Sequence, residues 1–249
     1  MTDLRVATFN IRTSRGRDRG NRWTRRRASC LEAIRGFNAD VVGLQEVRPD
    51  QVDDLRAAFP DTLLLGSSRD ADGGDERAAV LVPRAAWTVE SSETRWLSPT
   101  PTQPGSIGWD AGLPRVVTIV RLQCGPTRIG LANTHFDHLG STARVQSAAL
   151  IASWLHAEDD RRWIVLGDLN AEPGSPPLRT LADAGFVDSL PPDAGGTEHS
   201  FSGAMDRTRI DYVLVGPGVR TVTAWIGHDR PLGRLPSDHW PVVADLVVV

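Results

Sequence analysis

The sequence predicts an α/β fold in a single domain. Short apolar segments rich in β-branched residues alternate along the chain with segments whose apolar residues recur at helical spacing. Apolar residues make up 40% of the 249 residues, which is enough for one large core. No stretch has the composition of a linker, so we expect residues 1–249 to form one domain.

The first third of the chain is predicted to alternate strands and helices. Apolar residues alternate through a strand that ends at Asn10, and a helix follows in which Ala28, Leu31, Ile34 and Phe37 form one face. The remaining elements predicted here are a strand at 41–44 followed by Gln45 and Glu46, a helix through 52–59 that stops at Pro60, and strands at 63–65 and 78–82. We expect the polar loop 67–77 to be solvent-exposed and mobile.

The middle of the chain contains its least regular segment, residues 98–114. Long loops without periodicity inside a compact domain are often functional. Trp109 in this loop is a candidate for stacking on a base or sugar, although packing over the core is the more frequent role of Trp. Arg115 follows the loop, leads into a strand at 116–122, and is a second candidate substrate contact.

The second half of the chain is predicted to continue the alternation. Strands are expected at 129–134 and 163–167, and helices along 145–155 and 178–182. Residues 210–215 and 219–226 are interpreted as a hairpin about Gly216-Pro217-Gly218. A strongly apolar strand over 242–249 ends the chain.

All 28 basic residues are Arg, which excludes a lysine nucleophile or Schiff base. Eight of them lie between positions 12 and 27. These arginines either steer a phosphate-bearing ligand towards the end of the first strand or form a solvated loop and helix face. Arg26 is the candidate substrate contact within this cluster.

Cysteine usage and hydropathy point to a soluble protein. Cys30 and Cys124 lie far apart in predicted secondary structure, which favours free thiols in a reducing compartment. We find neither the apolar core of a signal peptide nor a long apolar span. We therefore expect a cytoplasmic monomer that does not insert into membranes.

Polar side chains recur at or beside the ends of the predicted strands. Strand ends from one sheet, or from two packed sheets, can converge on one rim, so these groups can share a cleft. Several carboxylates in one cleft need a cation to offset their charge, and oxygen ligands favour Mg²⁺ or Mn²⁺. The residues concerned are Asn10, Glu46, His135, Asp168, Asn170, Asp211, Asp238 and His239.

Six short motifs around these residues resemble those of the endonuclease/exonuclease/phosphatase superfamily of DNase I-like, metal-dependent phosphoesterases. They occur in the family's order and cover the chain from end to end. The resemblance implies a four-layer α/β sandwich of two mixed β-sheets flanked by helices. The motifs are TFN at 8–10, LQEV at 44–47, NTH at 133–135, GDLN at 167–170, RIDYVL at 209–214 and SDHWPV at 237–242.

The resemblance also implies how the metal and the attacking water are held. Glu46 would be the principal ligand of Mg²⁺ or Mn²⁺, with Asn10 and Asp238 close to the ion or its waters. Asp168 would orient or deprotonate the water. The implied activity is divalent-metal-dependent hydrolysis of a phosphate ester by in-line attack.

Four other residues complete the implied catalytic set. Asn170 and His135 would bind the phosphoryl oxygens as negative charge grows. Asp211 would pair with His239, fix its tautomer and favour its protonated form beside the phosphate. Taken singly, Asn10 and Asp211 are also compatible with purely structural roles at a strand end.

The segment His135-Phe136-Asp137-His138 leaves two alternatives open. Asp137 and His138 are either substrate contacts or ordinary loop polarity. The segment also resembles the end of the HxHxDH motif of zinc hydrolases with the metallo-β-lactamase fold, but the earlier His of that motif is replaced here by Asn133. A third hypothesis is a non-catalytic phosphate-binding module, whose expected sign, a broken polar set, is absent from this sequence.

The substrate is not defined by these motifs, because the variable loops 12–22, 67–77, 98–114 and 189–208 shape the rest of the site. The chain has no obvious insertion to enter duplex DNA. We therefore expect a compact phosphate ester, such as a nucleotide, a sugar phosphate, a lipid headgroup or a single-stranded nucleic acid end, in preference to duplex DNA.

Overall fold

A computed structural model describes residues 2–158 and 161–249, and it shows two six-stranded sheets packed face to face with helices on their outer sides. Three apolar clusters define the layers: one between the sheets, one between the first sheet and its two helices, and one between the second sheet and the other two. The predicted four-layer α/β sandwich is confirmed.

The first sheet combines both ends of the chain. Strand β1 (Thr2–Asn10) is central, parallel to β2 (Val41–Val47) and antiparallel to β12 (Val242–Val248). In spatial order its strands are β11 (Val219–Ile226), β12 (Val242–Val248), β1 (Thr2–Asn10), β2 (Val41–Val47), β4 (Arg77–Pro83) and β3 (Thr62–Leu65). Its outer face is covered by helices α1 (Trp23–Gly36) and α2 (Pro49–Ala58).

The second sheet also contains one parallel pair, β7 (Thr127–His135) and β8 (Arg162–Asp168). In spatial order its strands are β5 (Thr88–Trp96), β6 (Val116–Cys124), β7 (Thr127–His135), β8 (Arg162–Asp168), β10 (Asp211–Val215) and β9 (Val187–Asp188). Helices α3 (Ser141–His156) and α4 (Pro176–Asp183) cover its outer face.

The alternation predicted for β1 places apolar side chains on both of its faces. Leu4 and Val6 belong to the core between the sheets, whereas Ala7 and Phe9 pack on the helical side. A strand buried on both faces is expected at the centre of a layered sheet. Because β1 is central, the polar residue at its end is delivered to the middle of the sheet edge.

The predicted hairpin of residues 210–215 and 219–226 is wrong. Both strands exist, but β10 pairs with β8 and β9, whereas β11 pairs with β12 in the other sheet. The turn at Gly216–Gly218 therefore carries the chain from one sheet to the other. Sequence proximity favours pairing, but here each strand finds a partner that is remote in sequence.

Three other expectations need correction. In the loop 67–77, Ser68 and Arg69 are buried, and Arg69 N donates to Glu76 O at 2.8 Å, so the two sides of the loop are paired. The polar edge strand β5 and the two-residue β9 were not predicted. In α1, Ala28 is exposed, and the buried face instead includes Trp23, Arg26, Cys30 and Ile34.

Both cysteines are free thiols, with Cys30 buried and Cys124 exposed. Within the described residues, no helix combines the length and the apolarity needed to cross a membrane.

Candidate active site

The carboxyl ends of the two parallel strand pairs, one pair from each sheet, meet at the same edge of the sandwich. In the first sheet β1 ends at Asn10 and the end of β2 carries Glu46; in the second sheet β7 ends at His135 and β8 at Asp168. Asp211 begins β10 directly opposite Asp168. Ligand-binding sites in α/β proteins usually lie at the carboxyl ends of parallel strands, and here the strand ends of both sheets contribute to one site.

A local irregularity in β2 directs Glu46 into this site. The pairing of β2 with β4 shifts between Leu44 and Val47, and Glu46 has a φ of 61°, in the left-handed region. A bulge of this kind re-aims a side chain. As a result Gln45 bonds into the interior, to Asn133 Oδ1 at 2.6 Å, while the carboxylate of Glu46 faces the cleft.

The converging side chains line a cavity of about 450 Å³, which we call the catalytic cavity. It contains most of the residues predicted for the site and several that were not. The described residues that line it are Arg12, Thr13, Asp18, Glu46, Arg69, Glu76, Leu113, Arg115, His135, His138, Asp168, Asn170, Glu198, Ser200, Phe201, Ile210, Asp238 and His239.

Asn10 joins the two principal carboxylates of the site. Its Nδ2 donates to Glu46 Oε1 and to Asp168 Oδ2, each at 3.0 Å, and its Oδ1 accepts from Arg12 N at 2.9 Å. The reverse amide orientation would point an oxygen at two carboxylates, so these partners fix the assignment. Asn10 therefore holds Glu46 and Asp168 in place through its nitrogen rather than offering its oxygen to the cleft.

Glu46 and Asp238 form the acidic side of the cavity, with Arg12 between them. The guanidinium of Arg12 lies 3.9 Å from Glu46 Oε2 and 3.5 Å from Asp238 Oδ2. Burial by itself would raise the pKa of Glu46, but Arg12 and the hydrogen bonds from Thr13 N and Asn10 lower it. Burial and the charge of Glu46 raise the pKa of Asp238.

These two carboxylates fit the divalent cation that the sequence resemblance implies. Glu46 is held in its charged form, and its field opposes ionisation of Asp238, so a cation placed with both would relieve that repulsion. The donors are oxygens, which suits Mg²⁺ or Mn²⁺. Asn10 is the member of the predicted metal set whose oxygen is directed elsewhere.

Asp168 lies at the floor of the cavity and is almost completely buried. Its Oδ1 accepts from Asn170 N at 3.0 Å; its Oδ2 accepts from Asn10 and lies 3.5 Å from His135 Nε2 and 3.9 Å from His239 Nε2. Burial, followed by the charge of Asp211, raises the pKa of Asp168 to about 7.

His239 and Asp211 form a buried pair beside Asp168. Nδ1 of His239 donates to Asp211 Oδ2 at 2.8 Å. Burial by itself would lower the pKa of His239, but the charge and hydrogen bond of Asp211 and the charge of Asp168 raise it well above its usual value. The imidazole is therefore held protonated, with Nε2 directed to the Asp168 side of the cavity.

Ligand atoms of Asp168, Asp211 and His239 all lie within 4.8 Å of one another, a spacing that a metal ion can also satisfy. His239 Nδ1 donates to Asp211 Oδ2 at 2.8 Å, and a ring that is protonated at both nitrogens has no lone pair to offer a metal. We therefore assign His239 and Asp211 to a hydrogen-bonded pair that lies beside Asp168. Within the described chain, His135, Asp137 and His138 form no comparable ligand group, so the zinc alternative has no geometric support.

His135 differs from His239 in charge. Burial and the nearby guanidinium groups of Arg115 and Arg69 lower its pKa well below the usual value, so the ring is neutral near pH 7. The cationic ring of His239 and the neutral ring of His135 thus lie 3.9 Å and 3.5 Å from Asp168 Oδ2. The two rings can donate hydrogen bonds but differ in the charge they bring.

Arg69, Glu76 and Arg115 form a further wall of the cavity. Arg69 Nη1 lies 2.9 Å from Glu76 Oε2, and Arg115 Nη2 lies 3.2 Å from His138 Nδ1. Of these residues, only Arg115 and His138 were predicted. Glu76 directly precedes β4, and the start of β4 pairs with the end of β2, next to Glu46. Glu76 could therefore have been predicted only if the pairing of β2 with β4 had been known, and the sequence does not show that pairing.

Three residues predicted to bind substrate lie elsewhere. The buried guanidinium of Arg26 donates to four backbone carbonyls, so its role in this structure is to join segments of the chain. Asp137 Oδ1 accepts from the backbone N–H groups of Gly112, Leu139 and Gly140, which fixes the loop. Trp109 is partly exposed and is not among the residues that line the catalytic cavity.

Comparison with known proteins identifies what this arrangement is similar to. The model of the Endonuclease/Exonuclease/phosphatase family matches residues 7–239. An endonuclease/exonuclease/phosphatase from Bacteroides vulgatus is 31% identical, with a TM-score of 0.91 over 100% of both chains. The mannosyl-6-phosphatase Bt3783 of Bacteroides thetaiotaomicron is 29% identical, with a TM-score of 0.90 over 98% of this chain and 99% of that one.

More distant structures share the fold. TDP2 of D. rerio, in complex with a single-stranded DNA product, is 17% identical with a TM-score of 0.75 over 100% of both chains. At that identity the likeness concerns the fold alone. A comparison with curated protein sequences gives no match.

Proposed function

This chain belongs to the endonuclease/exonuclease/phosphatase family, and from that premise we propose that it hydrolyses a compact phosphate ester with the help of Mg²⁺ or Mn²⁺. The observation that carries the proposal is the position of Asp168, a buried carboxylate on the cavity floor with Asn10, His135 and His239 around its Oδ2. Water attack on phosphorus needs a base, positioned donors and charge neutralisation more than a protein nucleophile.

Asp168 is the base in this proposal. Its two oxygens are held by Asn10 and by Asn170 N, so the carboxylate cannot turn away from the cavity. A pKa of about 7 suits a group that takes a proton near neutral pH. As the water oxygen bonds to phosphorus, its proton passes to Asp168 and the bond to the leaving oxygen breaks; the departing alkoxide takes a proton from solvent and leaves as the alcohol.

His239 supplies a positive hydrogen-bond donor for the phosphoryl group. Asp211 binds Nδ1 and keeps the ring protonated, which leaves the N–H at Nε2 facing the cavity. Donors fixed in advance stabilise charge that develops during attack. Asp211 acts through His239, because its own carboxylate is fully buried.

His135 and Asn170 complete the binding of the phosphoryl oxygens. The neutral ring of His135 can donate from Nε2 without adding charge. One N–H of the Asn170 amide is bonded to Phe136 O at 3.0 Å, and the second is available to a substrate oxygen. Both side chains line the catalytic cavity together with Asp168.

Glu46 and Asp238 would hold the divalent cation. When bound, such an ion offsets the charge of the phosphoryl group and lowers the pKa of a coordinated water. Arg12 lies against both carboxylates. In this proposal the positive charge of Arg12 offsets part of the negative charge of Glu46 and Asp238 before substrate binds.

The size of the cavity and one relative support a compact substrate. The catalytic cavity, at about 450 Å³, lies in the lower part of the range of about 300–1,000 Å³ that is usual for small-molecule sites. Bt3783, whose name gives mannosyl-6-phosphatase activity, is 29% identical over nearly the full chain. A single-stranded nucleic acid end is the second candidate, because the first loop and the start of α1 carry exposed arginines; these are Arg15, Arg17, Arg19, Arg22 and Arg25.

A substrate panel with defined metal tests the proposed function. Purified protein is stripped with chelator and assayed with Mg²⁺, Mn²⁺ or no metal on p-nitrophenyl phosphate, bis-p-nitrophenyl phosphate, hexose phosphates, mononucleotides and plasmid DNA. We expect metal-dependent release of phosphate from small monoesters. No turnover on any substrate with either metal would instead favour a non-catalytic phosphate-binding module.

A further inference from the structure

A second and larger cavity opens directly from the catalytic cavity. It measures about 1030 Å³ and shares Asn170, Glu198 and Ile210 with the catalytic cavity. Its walls are the first residues of α3 (141–146) and the segment 170–177 that leads into α4. We call it the groove.

The two cavities differ in their cationic residues. Arg12, Arg69 and Arg115 line the catalytic cavity, and none of them lines the groove. The charged residues that line the groove are Arg144, Glu172 and Glu198, and Arg144 Nη1 donates to the backbone carbonyl of Asp137 at 2.8 Å. A leaving group that carries further phosphates would therefore face two carboxylates. The one cation among the described residues that line the groove, Arg144, already donates a hydrogen bond to the backbone.

Glu198 stands where the two cavities join. Its backbone forms an isolated bridge with His239, which ties its position to the catalytic group. Its Oε1 accepts from Ser200 Oγ at 2.6 Å, and within the described chain no donor forms a hydrogen bond to Oε2. The carboxylate is partly exposed, so a ligand passing from one cavity to the other can reach its free oxygen.

The remaining groove surface combines small polar groups with apolar faces. Hydroxyl and amide groups come from Ser141, Thr142, Gln146 and Thr208. Apolar surface comes from Val145, Ala171, Pro173, Pro176 and Pro177. Such a lining can exchange hydrogen bonds with several hydroxyls and still pack against carbon.

We propose that the groove is the leaving-group site and that Glu198 selects a neutral, polyhydroxylated leaving group by accepting hydrogen bonds from its hydroxyls. The proposal rests on the proposed function, since it needs a phosphoryl group bound above Asp168. Asn170 and Glu198 line both cavities, so a leaving group that extends from the phosphoryl position into the groove would pass them. The volume of the groove leaves room for more than one sugar ring.

The test compares Glu198→Gln with Glu32→Gln, a matched change on the exposed face of α1. Three substrates are used with Mn²⁺: mannose 6-phosphate, p-nitrophenyl phosphate and a 5′-phosphorylated thymidine tetranucleotide. Losing a charged acceptor of hydroxyl bonds should lower kcat/KM for mannose 6-phosphate by about 10-fold to 100-fold relative to p-nitrophenyl phosphate. Losing the charge should raise kcat/KM for the tetranucleotide by a few-fold.

Opposite changes for two substrates cannot come from partial unfolding. Equal losses on all three substrates would overturn the proposal, because Glu198 would then act in folding or in the chemistry. If the wild type hydrolyses none of the three, the proposed function itself fails. Glu172→Gln, an exposed position within the groove, repeats the test without risk to folding and should lower the same ratio to a smaller degree.

Discussion

Nδ1 of His239 lies 2.8 Å from Oδ2 of Asp211, and both side chains are buried beside Asp168, the base in our proposal. The other oxygen of Asp211 has no hydrogen-bond partner within the described chain. The charge of the buried carboxylate is therefore stabilised mainly by the imidazole of His239. A buried charged pair of this kind fixes the orientation and the charge of the ring together.

Replacement of Asp211 by Asn should lower kcat by about 100-fold or more at pH 7. Asp211 raises the pKa of His239, so its loss lowers that pKa and the protonated ring disappears as pH rises through the lowered value. The deficit should therefore grow from pH 6 to pH 8. The measurement is the pH profile of kcat, with the exposed Asp53→Asn as control. Parallel profiles for Asp211→Asn and the wild type would contradict the prediction.

Replacement of Asp168 by Asn should remove the base but leave the shape of the cavity. We expect kcat to fall by about 100-fold to 10,000-fold, while KM changes little, because the donors to the substrate remain. Initial-rate kinetics on p-nitrophenyl phosphate would show this, again beside Asp53→Asn. Near-normal turnover would refute the assignment of a base role to Asp168.

Replacement of Glu46 by Gln should raise the concentration of Mn²⁺ needed for half-maximal activity by about tenfold or more, because one charged donor is lost. The carboxylate also bonds Thr13 N and Asn10, so a thermal melt is needed beside the kinetics. Glu32→Gln is the matched control. An unchanged metal requirement in a folded variant would place the ion elsewhere.

Replacement of Arg26 by Met should destabilise the fold rather than impair substrate binding. The guanidinium is buried and satisfies four backbone carbonyls, and each buried group left without a partner costs about 1–3 kcal/mol. We expect a loss of more than about 3 kcal/mol in urea unfolding. The exposed neighbour Arg25→Met should change stability by less than about 0.5 kcal/mol. A stable variant with a raised KM would restore Arg26 as a substrate contact.

His199 should make stability depend on pH. Burial, and then the charge of His239, lowers its pKa from 6.5 to about 4. Between these values the unfolded chain binds more protons than the folded one, so the stability present above pH 6.5 is lost progressively as pH falls towards 4.

The measurement for His199 is the free energy of unfolding in urea at pH 7 and pH 5. The difference should be smaller in His199→Asn than in the wild type, since Asn can still accept from Gly203 N. The exposed His156→Asn serves as control. Equal pH dependence in all three proteins would show that His199 titrates normally.

Several features of this protein could be predicted from the sequence because they depend only on neighbouring residues. Alternation around Leu4 and Phe9 predicts a strand, and the apolar run before Asp168 predicts another, because side-chain direction follows the period of the backbone. The polar residues placed after such runs were identified in the same way. Polar edge strand β5 escaped detection because it lacks an apolar face.

The sequence did not show which strands and side chains contact one another in the folded protein. The strands on either side of Gly216-Pro217-Gly218 resemble a hairpin, yet they join different sheets, and Arg26 resembles its exposed neighbours, yet it is buried. Both outcomes depend on contacts with residues remote in sequence. Loop residue Arg69 reached the cavity for the same reason.

By itself the sequence determined the α/β class, most strand ends and the identity of the polar groups that follow them. Only the tertiary structure decided that Asn10 bonds both Glu46 and Asp168, that Asp211 sets the charge of His239, and that the groove begins at Glu198. Distances between side chains and the burial that shifts their pKa values arise when the two sheets pack together, and no local segment encodes either quantity.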